Sequence, residues 1–136
     1  MASDTYQCFH ICLAGPVVSN DWSLIQRLKT QNQITLVERM RLLSRNAVLK
    51  KVDLLVLDCS ENRELGIELL SFLKKYYPSV NIVLVDGGFT QKQIAAAFQN
   101  GARDYFADPY DTNLLIERLD ALGKEARTRT LDWNAA

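Results

Sequence analysis

The sequence carries no excess of charge of either sign, because 16 basic residues balance 16 acidic ones over 136 residues. Proteins whose main partner is nucleic acid usually show a basic excess or a basic stripe, so the balance argues against that class of partner. No apolar run approaches the length of a membrane span. The first residues, MASDTYQ, contain no basic segment and no long apolar segment. We therefore expect no signal peptide, no membrane partner and a cytoplasmic location.

Cysteine and histidine are also scarce, which limits the metal and redox chemistry open to the chain. The cysteines are Cys8, Cys12 and Cys59, and the single histidine is His10. An odd cysteine count without a secretion signal fits a reducing compartment. On a strand, Cys8 and Cys12 share one face but lie too far apart for a disulfide within that strand, so we predict small buried hydrophobes rather than metal ligands. Cys59 has no histidine partner in the local sequence, which argues against a redox-sensitive thiol.

The hydrophobic pattern predicts one α/β domain. Apolar residues make up 48% of the chain, which is enough for a core. We predict strands over 7–14, 33–37, 53–57, 81–85 and 103–107. We predict helices over 21–30, 40–49, 65–76, 91–100 and 112–122, with Leu42, Leu43 and Ala47 facing inward in the second. The third and fourth strands are continuous apolar runs, which are typical of parallel strands covered on both faces. The alternation therefore predicts a doubly wound, five-stranded parallel sheet with five helices.

Acidic residues stand at the carboxyl ends of the predicted strands, where such sheets place their functional crevice. Asp58 closes the third strand, Asp86 closes the fourth, and Asp108 follows the fifth. We expect an acidic crevice with no lysine or arginine from these strand ends. Carboxylates this close repel each other and favour a cation or a proton. Asp86 and Asp108 are also a residue type that starts turns, so an altered cation site and a turn-forming role are both open.

Several stretches resemble a response-regulator receiver domain, over roughly residues 7–124. VDLLVLD is similar to the family's third strand, which ends in the phosphoacceptor aspartate, here Asp58. CSENREL, then Gly66 and IELLSFLKKYYP, match the loop and third helix that follow. AAAFQNGARDYFADPY matches the fourth helix, the fifth strand and the proline beyond it. The resemblance implies a flavodoxin-like, receiver-type fold with strand order 2-1-3-4-5 and a switch-type aromatic at Tyr105.

The sequence departs from the family at the other positions that handle phosphate. The two metal-binding acids after the first strand fall within 13–15, which reads Leu-Ala-Gly. Asp86 replaces the serine or threonine that contacts the phosphoryl group, and Asp108 replaces the lysine that pairs with it. These changes leave Asp58 as a weak metal ligand and make Mg²⁺ a doubtful cofactor. We further expect that no nearby cation neutralises a transferred phosphoryl group.

These observations favour an atypical receiver, or pseudo-receiver, that is not an enzyme and acts by protein–protein contact without aspartyl phosphorylation. The alternative is a working response regulator in which a histidine kinase phosphorylates Asp58, with Asp86 or Asp108 helping to hold the metal. A flavodoxin-like cofactor binder is a third alternative, although no G-x-G-x-x-G motif follows the first strand. We expect residues 1–124 to form the domain and residues 125–136 to form a polar tail or linker.

The resemblance also implies an interaction surface on the predicted fourth helix, fifth strand and fifth helix. In the family this face serves homodimers and partner domains, and receivers occur beside DNA-binding, output-enzyme or pilus-assembly ATPase modules. We therefore expect a protein partner, an output domain or a second copy of the chain at this face. Its residues are Lys92, Ala96, Gln99, Arg103, Tyr105, Glu117 and Arg118.

Overall fold

The structure is a computed structural model that describes residues 9–45 and 47–135. The first two residues of the predicted first strand, including Cys8, lie outside the described part. The strands are β1 His10–Ala14, β2 Gln33–Val37, β3 Leu54–Asp58, β4 Asn81–Asp86 and β5 Ala102–Ala107. They form one parallel sheet in the order β2-β1-β3-β4-β5. The predicted fold class and strand order are confirmed.

The two central strands are buried along their whole length, as their continuous apolar sequences predict. Every residue of β3 and of β4 is buried. Successive side chains point to opposite faces of the sheet. Leu55 and Leu57 accordingly belong to one core cluster, whereas Leu54 and Val56 belong to the cluster on the other side. Both faces of the sheet are thus covered, as in doubly wound domains.

Four α-helices pack on these faces within the described residues: α1 Trp22–Lys29, α2 Arg63–Tyr76, α3 Gln91–Gln99 and α4 Thr112–Ala135. Their starts follow ordinary capping chemistry. Asp21 accepts a hydrogen bond from the Leu24 amide at 3.1 Å. Thr90 and Gln93 form a capping box at the start of α3. No helix in the described part of the chain is long and apolar enough to cross a membrane.

The predicted second helix, 40–49, is wrong in type. This segment forms two 3-10 helices, Met40–Arg45 and Ala47–Lys51. Met40 and Leu43 are buried three residues apart in the first helix, which fits the three-residue repeat of a 3-10 helix, and Leu49 is buried in the second. Leu42 was predicted to face inward but is 46% exposed. The side chain of Ala47 lies outside the described side chains, so its predicted inward position is not tested.

The last helix is much longer than the predicted span, because α4 continues to Ala135 instead of ending near Leu122. Gly123 lies within this helix, and a Cβ atom there would lie only 2.5 Å from Cε2 and Cζ of Phe9. The Phe9 ring therefore fills the space beside the helix where a side chain would stand. The residues that follow are mostly good helix formers, including lysine, glutamate, alanine and arginine. The backbone of the segment predicted as a polar tail is helical up to Ala135.

Candidate functional site

The structure places the three predicted carboxylates at the carboxyl edge of the sheet. Asp58 and Asp86 are the last residues of β3 and β4, and Asp108 directly follows β5. Asp58 is fully buried and Asp86 is 1% exposed, whereas Asp108 is exposed. The sequence pattern thus finds the right edge, but the three side chains have different surroundings.

Backbone amides occupy both carboxylate oxygens of Asp58. Oδ2 accepts hydrogen bonds from the amides of Val17 at 2.6 Å and Val18 at 3.3 Å. Oδ1 accepts one from the Ser60 amide at 3.0 Å. Val17 and Val18 lie at the start of the 3-10 helix Val18–Asn20, whose first amides have no partner within the helix. Asp58 therefore acts as the anchor of the loop that follows β1.

That loop lies directly on Asp58 because Gly15 permits it. Gly15 has a φ of +118°, in the region that favours glycine. A Cβ atom at this position would lie 2.4 Å from Cβ of Asp58 and 2.6 Å from its carbonyl oxygen. The family's acidic pair falls at residues 13–15, and the structure leaves no room for a side chain at Gly15.

Asp86 has a cationic partner that the sequence reasoning missed. Nε of Arg63 lies 2.6 Å from Oδ2 of Asp86, and the Gly88 amide donates to the same oxygen at 2.8 Å. Arg63 is the first residue of α2, and its side chain is 45% exposed. A cation therefore stands at the acidic edge, although it comes from the start of α2 and not from a strand end. In a doubly wound fold the helices begin at this same edge of the sheet. A basic residue at the start of α2 is therefore the sequence feature that indicates a cation there.

Gly88 makes room for this ion pair. A Cβ atom at Gly88 would lie 2.2 Å from Nη2 of Arg63, so the guanidinium crosses the glycine backbone to reach Asp86. Asp86 raises the pKa of Arg63 through their hydrogen bond and their opposite charges. The pair thus closes the space above β4 where the family's serine or threonine would contact a phosphoryl group.

Tyr105 is tied to the same part of the edge. Its hydroxyl donates to the backbone carbonyl of Asp86 at 2.7 Å. Its ring stacks on Phe89, with centroids 5.4 Å apart. Burial raises the pKa of Tyr105, and its backbone hydrogen bond with Phe89 opposes that rise. The predicted switch-type aromatic is thus held against the β4–α3 loop in this structure.

Asp108 and Tyr110 connect the carboxyl edge of the sheet to α1. The Asp108 amide donates to the Asp86 carbonyl at 3.1 Å, and a cis peptide bond links Asp108 to Pro109. Next in the chain, the Tyr110 hydroxyl donates to Oδ2 of Asp21, the residue that caps α1. Burial and then the Asp21 hydrogen bond raise the pKa of Tyr110. The exposed Asp108 side chain itself is not brought to Asp58 by any hydrogen bond or ion pair among the described residues.

The described residues do not fit a magnesium site. Mg²⁺ requires near-octahedral oxygen ligands. The end of β1 supplies only Leu-Ala-Gly, both oxygens of Asp58 bind amides, and Asp86 pairs with Arg63. Oδ1 of Asp86 is buried without a hydrogen-bond partner in the described part, but one oxygen is not a ligand set. Within that part, no three histidine, cysteine or acidic side chains are grouped to hold a metal.

The two cysteines within the described residues are buried thiols. Cys59 follows Asp58 and is fully buried. Burial, followed by the charges of Asp86 and Asp58, raises the pKa of Cys59 to about 12. Burial raises the pKa of Cys12 to about 12 as well. A neutral thiol is a poor nucleophile, so these two cysteines are structural.

The predicted interaction surface is formed by α3, β5 and α4. Arg103 pairs with Glu125 at 2.7 Å, and Arg118 pairs with Asp104 at 2.9 Å. Lys92 and Gln99 are exposed on α3, and Ala96 is partly exposed. Glu117 instead lines the groove between α1 and α4, beside Arg27 and Leu28. Ion pairs within the chain thus hold the two predicted arginines of this face.

Comparison with known proteins identifies the fold. Neither a protein-family model nor a curated protein sequence matches the chain. A CheY-like response regulator receiver domain protein from Methanospirillum hungatei matches with a TM-score of 0.77 and 17% identity, covering 90% of this chain and 98% of that one. A Burkholderia thailandensis protein named for pilus assembly (cpaE) matches with a TM-score of 0.69 and 16% identity, covering 85% and 98%.

A third match is part of a longer protein. NtrX from Brucella abortus matches with a TM-score of 0.78 and 16% identity, covering 94% of this chain but 29% of NtrX. All three identities are low, so what they establish is architecture. Together with the strand order, they show that this chain has the fold of a response-regulator receiver domain.

Proposed function

We propose that this chain is a receiver-like signalling domain of the two-component type that acts by protein–protein contact, without phosphorylation of Asp58. The observation that supports this proposal is the environment of the Asp58 side chain. Its carboxylate is fully buried and accepts three backbone amide hydrogen bonds, from Val17, Val18 and Ser60. In this proposal Asp58 is a structural anchor, and the domain is not an enzyme.

Phosphoryl transfer to an aspartate needs an accessible oxygen and neutralised charge, because the nucleophile and the donor are both anions. Here the loop after β1 would have to leave Asp58 before a donor could approach. Arg63, the cation found near the edge, is already paired with Asp86. Asp108 adds a further negative charge where the family has a lysine. Each of these features opposes the transfer step.

The surface formed by α3, β5 and α4 is where we propose that a partner binds. Tyr105 connects this surface to the edge, because its hydroxyl binds the Asp86 carbonyl. In the proposal the partner is another protein, an attached output domain or a second copy of the chain. The match to NtrX supports an attached domain, since it covers only 29% of that longer chain. Residues 125–135, the last part of α4, would then lead towards the attached domain.

Intact mass after incubation with magnesium and a small-molecule phosphodonor tests the proposal, with Asp58→Asn treated in parallel. We expect no gain in mass for either protein. A gain of one phosphoryl group that is absent from Asp58→Asn would contradict the proposal. It would establish the alternative, a working phosphoacceptor of the kind that histidine kinases serve.

Sedimentation velocity over a range of protein concentrations tests the contact surface for a second copy of the chain. If copies pair through this surface, Lys92→Glu on α3 should weaken the association, since Lys92 is exposed there. Lys29→Glu at the end of α1 is the matched control and should leave it unchanged. A monomer at every concentration would leave a different protein or an attached domain as the partner.

A further inference from the structure

A second concave site lies at the opposite edge of the sheet, where the strands begin. It is a cavity of about 400 Å³ between the starts of β3 and β4 and the later part of α4. A volume of this size falls in the range of small-ligand sites. Its floor includes Phe9, which is 3% exposed. Nothing in the proposed signalling role uses this cavity.

The lining of the cavity is strongly cationic in a chain with no net charge. Lys50, Lys51 and Arg127 line it, and Asp53 is its one acidic residue, so the formal charge is +2. Oδ2 of Asp53 accepts a hydrogen bond from the His10 amide at 2.8 Å. The carboxylate is therefore engaged with the start of β1. The cavity attracts anions.

The neighbouring cavity shows that this charge is particular to the site. It has a volume of about 340 Å³, lies between α1 and α4, and also includes Phe9 in its lining. Its cations are Arg27 and Lys124, and they are balanced by Glu117 and Asp120. Lys124 and Asp120 also pair with each other at 2.8 Å. Of these two cavities, only the one beside the starts of β3 and β4 has a cationic excess.

Packing holds two of the lining groups in place. The Arg127 guanidinium lies 4.3 Å from the centroid of the Phe9 ring, a cation–π contact. Asn81 is buried and its Oδ1 accepts from Nη1 of Arg103 at 3.1 Å. Ser79 contributes an exposed hydroxyl beside it. The site thus combines three cations with neutral polar groups beside the edge of the sheet.

We propose that this cavity binds a small ligand that carries a phosphate group. A phosphate carries close to two negative charges at neutral pH, which match the charge of the lining. Lysine and arginine side chains form charge-assisted hydrogen bonds with its oxygens. Val52 and Ala126 supply an apolar wall for the rest of the molecule. A mononucleotide carries both a phosphate group and a base that can pack on the apolar wall. Free phosphate supplies only the phosphate group.

Amide chemical shifts measured by NMR during titration with inorganic phosphate, AMP and adenosine test this site in the full chain. We expect saturable shifts at Lys51, Ser79 and Asn81 with AMP, and none with adenosine. Shifts with phosphate as well would identify the phosphate group alone as sufficient. Shifts with AMP only would show that the apolar wall contributes to binding.

Lysine variants give the matched comparison. Lys50→Gln and Lys51→Gln should each weaken AMP binding about tenfold, since each removes one charge-assisted hydrogen bond. Lys92→Gln, on the exposed surface of α3, should leave binding unchanged. The proposal is overturned if neither phosphate nor AMP gives saturable shifts, or if adenosine binds as tightly as AMP. It is equally overturned if the three variants bind alike.

Discussion

Gly15 and Asp58 are packed against each other so closely that a Cβ atom on Gly15 would lie 2.4 Å from Cβ of Asp58. The residue after β1 and the residue that ends β3 are thus parts of one contact. In the receiver family this is the region where acidic side chains and the phosphoacceptor face a shared cation. Here the backbone of one segment covers the carboxylate of the other.

Gly15→Ala should therefore destabilise the protein through both backbone strain and overlap. We expect a loss of about 3 kcal/mol in the free energy of unfolding, measured by denaturant titration. Gly101→Ala is the matched control, because Gly101 has a φ of +102° but its nearest neighbour to a Cβ atom is 3.7 Å away. It should cost about 1 kcal/mol. Equal losses for the two variants would show that Asp58 imposes no constraint on Gly15.

Asp58→Asn should also lower stability, although it changes one atom type and little volume. In Asp58→Asn, an NH₂ group replaces one of the two oxygens that accept backbone amide hydrogen bonds. At that position the backbone N–H groups then meet another hydrogen-bond donor. We expect a loss of about 2 kcal/mol in denaturant titration. Asp53→Asn is the control, because the exposed Asp53 carboxylate accepts one amide hydrogen bond among the described residues, from His10. A loss for Asp58→Asn no larger than that for Asp53→Asn would refute the anchoring role.

Arg63→Ala should leave the buried Asp86 carboxylate without its cation. We expect a larger loss of stability than for Arg118→Ala, because its partner Asp104 is partly exposed whereas Asp86 is buried. NMR should also show shifts at the Gly88 amide, which shares Oδ2 of Asp86 with Arg63. If the two arginine variants are equally stable and Gly88 does not shift, the ion pair has no structural role at this edge.

Tyr110 should make stability fall at high pH. Its pKa is raised in the folded state by burial and by Asp21. The unfolded state therefore loses the Tyr110 proton first, at a pH of about 10, and folding stability is full below that pH and declines above it. Denaturant titrations from pH 8 to pH 11 should show a shallower decline for Tyr110→Phe than for the wild type. Tyr76→Phe, at a position that is 57% exposed, should keep the wild-type slope.

Much of the architecture is predictable from local chemistry. The apolar runs at 53–57 and 81–85 predict strands, and the structure contains β3 and β4 at nearly the same residues. The segment 40–51 was harder, because its apolar residues fit a helix of either type. The spacing of three between Met40 and Leu43 fits the 3-10 form and an α-helix alike, so the sequence pattern does not distinguish them.

The site was less predictable because its contacts join distant parts of the chain. The sequence identifies Asp58 and Asp86 as strand-end residues, but a search of strand ends alone misses Arg63 at the start of α2. The hydrogen bonds from Val17 and Val18 to Asp58 come from backbone groups, which any residue type carries. Side-chain identity therefore gives no signal for them. The one trace they leave in the sequence is the glycine at position 15.

The closure of the carboxyl edge also affects the thermodynamics of recognition. Asp58 holds the loop after β1, and Asp86 holds Arg63 and the loop before α3. Segments that are already ordered lose little conformational entropy when another protein binds them. A partner of this domain would therefore meet a preorganised surface, and its affinity would not be reduced by a preceding conformational equilibrium. Under the proposed function, binding would then be set by the concentration of the partner and not by the state of the domain.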